Sequence, residues 1–187
     1  MRIVFIGPPG AGKGTQAARL SRRFGVPHLS TGELLREACR LKNEVGRQAA
    51  EFMLSGKLVP DSLVHQIVVD RIVHADCEGG YLMDGFPRTV PQAEKFDRFL
   101  TDQGQPLNVV VELRVRERDL LERLKGRGRE DDAAEIVRNR LEQYRRLTTP
   151  ILDYYRHSGR LRTIDGHGLP DEVTQRLVEA IEAARAV

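Results

Sequence analysis

The sequence predicts an α/β fold on a parallel sheet, and three features carry that reading. Strand-like and helix-like segments alternate along the chain. The strand candidates are apolar along their length, as strands covered on both faces require. The first candidate, Arg2–Ile6, runs directly into Gly7-Pro-Pro-Gly-Ala-Gly-Lys-Gly-Thr15. A buried strand that breaks into a glycine-rich turn with one lysine is the sequence form of a phosphate cradle.

The remaining elements follow in order. A helix over Lys13–Phe24 offers its positive end to the same anion as the turn. A short strand is expected at His28–Leu29. Ser30-Thr-Gly-Glu33 has capping-box spacing and opens a helix over Gly32–Arg40. A second helix, Glu44–Ser55, follows with no strand between. Asp61 stands after Pro60 and before the apolar stripe Leu63, Ile67, Val68, and so starts a helix over Asp61–Ala75. Next come a strand at Tyr81–Asp84, a helix at Pro91–Gln103, a strand at Val109–Leu113 and a helix at Glu117–Lys125. A long helix is expected over Asp132–Tyr155, with Pro150 forcing a kink or break. The strand Leu161–Ile164 and a helix over Asp171–Ala184, opened by Pro170-Asp171, complete the chain.

With 187 residues, the chain suits one domain with small inserted subdomains. No apolar run approaches a membrane span. The N-terminal apolar run of about six residues is too short for a signal peptide core, so a cytoplasmic location is expected. A net charge of +3 is too small to argue for nucleic acid. Of the 30 basic residues 25 are Arg, whose planar fork suits bidentate phosphate contacts. Cys39 and Cys77 form no metal-spaced pair, so reduced thiols and no structural zinc are expected. The five histidines show no ligand spacing and read as surface or satisfied core residues.

Within the turn, Gly7, Gly10, Gly12 and Gly14 let successive N–H groups point inward, and Lys13 adds a point charge for the β- and γ-phosphates. The common pattern has Ser or Thr directly after the lysine, as a Mg²⁺ ligand. Here Gly14 takes that position and Thr15 comes one later. No direct metal ligand from the loop is therefore expected, and Mg²⁺ would be held through phosphates and water. A second constellation follows the third strand: Asp84-Gly-Phe-Pro-Arg-Thr-Val-Pro-Gln92. An acid at the end of a buried strand beside such a loop can hold Mg²⁺ or its waters. Arg88 projects above the carboxyl edge of the sheet, where ligands bind in these folds. Gln92 can donate and accept together, as an adenine edge demands.

These segments, in this order, resemble those of the adenylate kinases, within the nucleoside monophosphate kinases. The likeness is carried by GPPGAGKGT, Ser30-Thr-Gly-Glu-Leu-Leu-Arg36, Gly56-Lys-Leu-Val59 and the Asp84–Gln92 segment. Arg123-Leu-Lys-Gly-Arg127, Arg129-Glu-Asp-Asp132 and Arg138-Asn-Arg140 extend it. The resemblance implies a P-loop, three-layer fold with a five-stranded parallel sheet. The core would be 1–29, 60–125 and 137–187, with a helical monophosphate-binding subdomain at 30–59 and a short lid at 126–136. The implied reaction is ATP + AMP ⇌ 2 ADP with Mg²⁺, carried out by a monomer with nucleotides as its only partners, neither nucleic acid nor membrane.

Residue by residue, the resemblance gives Gly10, Ala11, Gly12, Lys13, Gly14 and Thr15 to the ATP phosphates, with Arg123 and Arg127 beside them. Gly168 would touch the ATP adenine. Thr31, Arg36, Met53, the Lys57, Leu58 and Val59 backbone, Gly85, Phe86, Pro87, Arg88 and Gln92 would line the AMP site. Arg129 and Arg140 would bridge toward AMP and the transferring group. Lys13, Arg88, Arg123, Arg129 and Arg140 would carry the catalysis, and Asp84 would stand outside direct metal contact. The family's longer form has a strand-rich lid, sometimes with four metal-binding cysteines; this short, cysteine-free connection implies no zinc there. Two alternatives stand beside this reading. UMP/CMP kinases tend to carry asparagines where Thr89 and Gln92 stand, and a P-loop switch protein would need no second nucleotide site.

Overall fold

The computed structural model describes residues 1–125 and 133–185. Five parallel strands form one sheet in the order β2-β3-β1-β4-β5. They are β1 (Arg2–Ile6), β2 (His28–Ser30), β3 (Tyr81–Asp84), β4 (Val109–Arg114) and β5 (Leu161–Asp165). Parallel neighbours need long crossovers, and helices supply them: α1 (Lys13–Phe24), α2 (Thr31–Arg40), α3 (Glu44–Leu54), α4 (Asp61–Ile72), α5 (Val90–Asp102), α6 (Glu117–Lys125), α7 (Ala134–Gln143) and α8 (Thr149–His157). A ninth, α9 (Pro170–Arg185), follows β5. Among the described residues no helix is long and apolar enough to cross a membrane.

Alternate residues of each central strand feed different layers. Val4, Ile6, Met83 and Val110 join Leu35, Val68, Phe96 and Tyr155 on one face. Ile3, Phe5, Leu82 and Val111 join Leu20, Leu120, Leu141 and Leu177 on the other. Both faces of the sheet are thus covered, which is why the strands read as continuous apolar runs. Phe86 and Phe96 meet edge to face at 5.1 Å within the first layer. Burying one such ring contributes about 1.5–3 kcal/mol.

A buried polar group also ties that layer together. Asp97, on α5, accepts from Tyr154 (3.0 Å), Tyr155 (3.4 Å) and Arg160 (2.6 Å). An enclosed carboxylate persists only with such partners. Burial, then the Asp97 charge, pushes both tyrosine phenols above their ordinary range, so they remain donors to it.

Two helices depart from the sequence expectation by more than a residue. α4 stops at Ile72 because His74 is extended, and a tight turn at Ala75–Cys77 follows. The long helix expected over 132–155 is two helices joined by a wide π turn at Tyr144–Thr148. Pro150 has no N–H to return to the preceding turn and crowds it. The chain answers with a five-residue loop of hydrogen bonding, Thr149 N–H reaching back to the Tyr144 carbonyl. Asp132, the expected start, lies outside the described residues.

Candidate active site

The site opens at the carboxyl edge of the sheet. On one side β1 delivers the glycine-rich loop. Ala11 N–H closes a tight turn onto Pro8 O at 3.1 Å. Gly12 caps α1 in the left-handed region, with no side chain on the first-turn amides. Those N–H groups are what a helix N-terminus offers an anion. The Lys13 ammonium folds back onto the carbonyls of Gly7 (2.7 Å) and Pro8 (3.0 Å), which holds the cation over the loop. Gly10, at φ +83°, lies so close to α6 that a Cβ would stand 2.9 Å from Leu120 O. Arg123 reaches from α6 to Ala11 O (3.3 Å) and to Gly166 O (3.2 Å), joining the loop to the turn after β5.

The opposite side is assembled by strand register. β2 pairs with β3 so that Ser30 stands beside Asp84. Ser30 then caps α2, its hydroxyl accepting from Glu33 N at 3.4 Å. Thr31 donates to Asp84 O at 3.2 Å. Gly85, at φ +89°, follows; a Cβ there would lie 2.6 Å from Thr31 Oγ1. Its carbonyl accepts from Arg88 Nε at 2.7 Å. Thr148, in the π turn, donates to Arg88 O at 3.0 Å, so the irregular turn braces this segment. Thr89 caps α5, and the Gln92 amide oxygen accepts Arg88 N–H at 2.6 Å.

Asp84 faces the loop. Burial raises its carboxyl, but the His28 side chain, the Lys13 charge and the Arg88 charge outweigh burial, and the net shift is downward. His28 Nε2 lies 3.8 Å from Asp84 Oδ2, beyond hydrogen-bond length. A Cβ built on Gly14 would stand 3.9 Å from the same oxygen, so a side chain at this position would face the carboxylate. Among the described residues no group of three or more His, Cys, Asp or Glu could hold a metal ion. One ionised carboxylate fits a cation carried mainly by phosphate oxygens and water.

A cleft of about 1050 Å³ joins the two sides. Of the residues expected for ATP, Gly10, Ala11, Gly12, Lys13, Gly14, Thr15, Arg123 and Gly168 line it. Of those expected for AMP, Thr31, Arg36, Met53, Lys57, Leu58, Val59, Gly85, Pro87, Arg88, Gln92 and Arg140 line it. Phe86 does not: its ring is wholly buried against Phe96, because the apolar layer under the turn takes it up. Arg127 and Arg129, with most of the 126–136 connection, lie outside the described residues.

Sequence reading missed two contributors. Asp61 served there only to mark a helix start, yet its carboxylate holds Gln92 Nε2 at 2.6 Å. His28, expected on the surface or in the core, lines the cleft beside Asp84. Neither belongs to a local pattern, since each acts across two chain segments.

A glycine loop at a helix start, facing a second arginine-bearing wall across one cleft, is the arrangement of a P-loop protein. That is the plan of a nucleotide phosphotransferase. A family profile described as adenylate kinase matches residues 5–160. A protein named adenylate kinase from Mycobacterium sp. (strain MCS) is 48% identical over 181 residues, covering 97% of this chain and 99% of that protein. Another so named, from Rhizobium meliloti (strain 1021), is 48% identical over 176 residues, covering 89% of this chain and 92% of its own. A third, from Methylobacterium nodulans, is 48% identical over 191 residues, covering 97% and 96%. The chain belongs to the adenylate kinase family.

Proposed function

We propose that the cleft holds MgATP and AMP together and transfers the terminal phosphoryl group of ATP to AMP, reversibly, giving two ADP. The supporting observation is a single cleft lined both by the phosphate loop and by Thr31, Arg36, Arg88 and Gln92. A protein that only bound a triphosphate would have no use for the second set.

The loop amides from Gly10 to Thr15, with Lys13, Arg123 and Arg127, hold the ATP phosphates, and Gly168 lies against its base. Arg36 and Arg88 hold the AMP phosphate, and Gln92 reads its base. Arg129 and Arg140 neutralise charge on the transferring group. Phosphoryl transfer needs alignment and charge neutralisation more than covalent help. The AMP phosphate is already anionic at neutral pH, so no general base is required. The barrier is repulsion between two polyanions, which the arginines and Lys13 offset. Mg²⁺, when bound, would add positive charge at the transferring phosphates, and Asp84 would be the carboxylate that orients its waters. Segment 30–59 acts as the monophosphate arm and 126–136 as the lid, and their closure keeps out the water that would hydrolyse ATP. Every assigned residue comes from one chain, so a monomer suffices.

A coupled assay with MgATP and AMP, CMP, UMP or GMP tests this. AMP should be used far better than the other three. Equal rates on CMP and AMP would overturn the adenine assignment.

A further inference from the structure

Gln92 is a buried amide with both ends already engaged. Its oxygen accepts Arg88 N–H at 2.6 Å, and its nitrogen donates to Asp61 Oδ1 at 2.6 Å. A backbone N–H can only donate, and a carboxylate can only accept. These two partners therefore fix which end of the amide is oxygen and which is nitrogen. Thr89 braces the same carboxylate, since its hydroxyl donates to Asp61 Oδ2 at 3.2 Å and accepts the Gln92 backbone N–H at 3.3 Å. Asp61 lies at the exposed start of α4, two residues beyond Val59 of the cleft wall.

We infer that Asp61 is a positioning residue for base selectivity: it locks the Gln92 amide in the one orientation that suits adenine. The inference rests on the reading of Gln92 as the base reader. An amide offers one oxygen lone pair and one N–H beyond the two it has used. In the locked orientation the lone pair and the N–H are presented in a set order. Adenine supplies a donor at N6 and an acceptor at N1; guanine presents an acceptor at O6 and a donor at N1–H. A turned amide would suit guanine. With Asp61 in place, turning sets oxygen against a carboxylate and nitrogen against an N–H. Without Asp61 only the second conflict remains. Asp61 thus contributes to selection by making the wrong orientation worse, not by touching the base.

The test is steady-state kinetics on AMP and GMP with MgATP, for the unaltered protein, Asp61→Ala, Asp61→Ser, Asp61→Asn and Gln92→Leu, with thermal unfolding run beside it. Asp61→Ala should lower the AMP-to-GMP ratio of kcat/KM about tenfold, the size expected from loosening one buried polar contact. The change should lie in KM for AMP, with KM for ATP unchanged. Asp61→Ser keeps a polar helix start but is too short to reach the amide; it should match the alanine variant and stands in if that variant unfolds. Asp61→Asn, whose amide oxygen can still accept from Gln92, should restore most of the ratio. Equal losses on AMP and GMP, or an unchanged ratio, would overturn the proposal. If Gln92→Leu collapses the ratio while Asp61→Ala does not, only the lock fails. If Gln92→Leu leaves the ratio intact, the reading of Gln92 as base reader fails and the lock with it.

Discussion

The two halves of the cleft are built from different materials. The half we assign to ATP is mostly backbone: amides at the start of α1, a left-handed cap at Gly12, and one lysine held by carbonyls of its own loop. The half we assign to AMP is mostly side chains from separate segments, Thr31 on α2, Arg88 and Gln92 around the start of α5, and Asp61 on α4, hydrogen-bonded to one another or to the backbone at the end of β3. A backbone cradle recognises phosphate whatever base is attached. A side-chain network can tell one base from another, because leaving a buried polar group unmatched is costly. On this assignment generic binding and specific binding are separated in space, and substitutions should separate them in kinetics.

The largest effect should come from the lysine of the phosphate loop. Lys13→Ala should lower kcat by about 10²–10³, the loss seen for one preorganised electrostatic contact. The unfolding temperature should hardly move, as Lys13 lies at the cleft rather than in either apolar layer. A rate within a few-fold of the parent would remove Lys13 from the transfer step.

Arg88→Ala breaks the AMP half alone. We expect kcat/KM for AMP to fall about a hundredfold, as for a lost charge-assisted contact, with ATP affinity preserved. Equal loss of ATP and AMP binding would mean that the halves are not separable.

Gly85→Ala tests the same division through the backbone. An alanine there meets Thr31 Oγ1 at 2.6 Å and takes up a positive φ. The cost to stability should be about 1–3 kcal/mol, and KM for AMP should rise several-fold with KM for ATP unchanged. Parallel titrations of both nucleotides would show it.

The smallest effect concerns pH. The Asp84 carboxyl is held below its ordinary value in the folded protein. A depressed carboxyl contributes stability above its unfolded value, and that contribution is lost as pH falls through the folded value. Asp84→Asn should therefore flatten the acid limb of stability below about pH 4. The parent should lose stability there more steeply than the variant, by chemical denaturation at stepped pH.

The same contrast explains what could be read from the chain. The loop of the ATP half is contiguous, so its chemistry was legible from nine residues in a row. β1, β3, α1 and α6 have the bounds that their apolar runs and flanking turns suggested. Thr31, Arg88 and Gln92 were legible as motif members, but what binds them together was not. Their network depends on the pairing of Ser30 with Asp84 and on Asp61 reaching Gln92, contacts between residues far apart in sequence. The π turn at Tyr144–Thr148 was hidden for another reason. Apolar spacing continues through it, and Pro150 announces a break without saying what shape the break takes.

The most direct test of a two-nucleotide cleft is calorimetric titration with two adenosines joined through a polyphosphate long enough to reach both halves. One molecule should bind per chain, at least a hundredfold more tightly than ATP, and should block both ATP and AMP, as linked sites require. Binding no tighter than ATP, or with AMP still able to enter, would contradict the shared cleft.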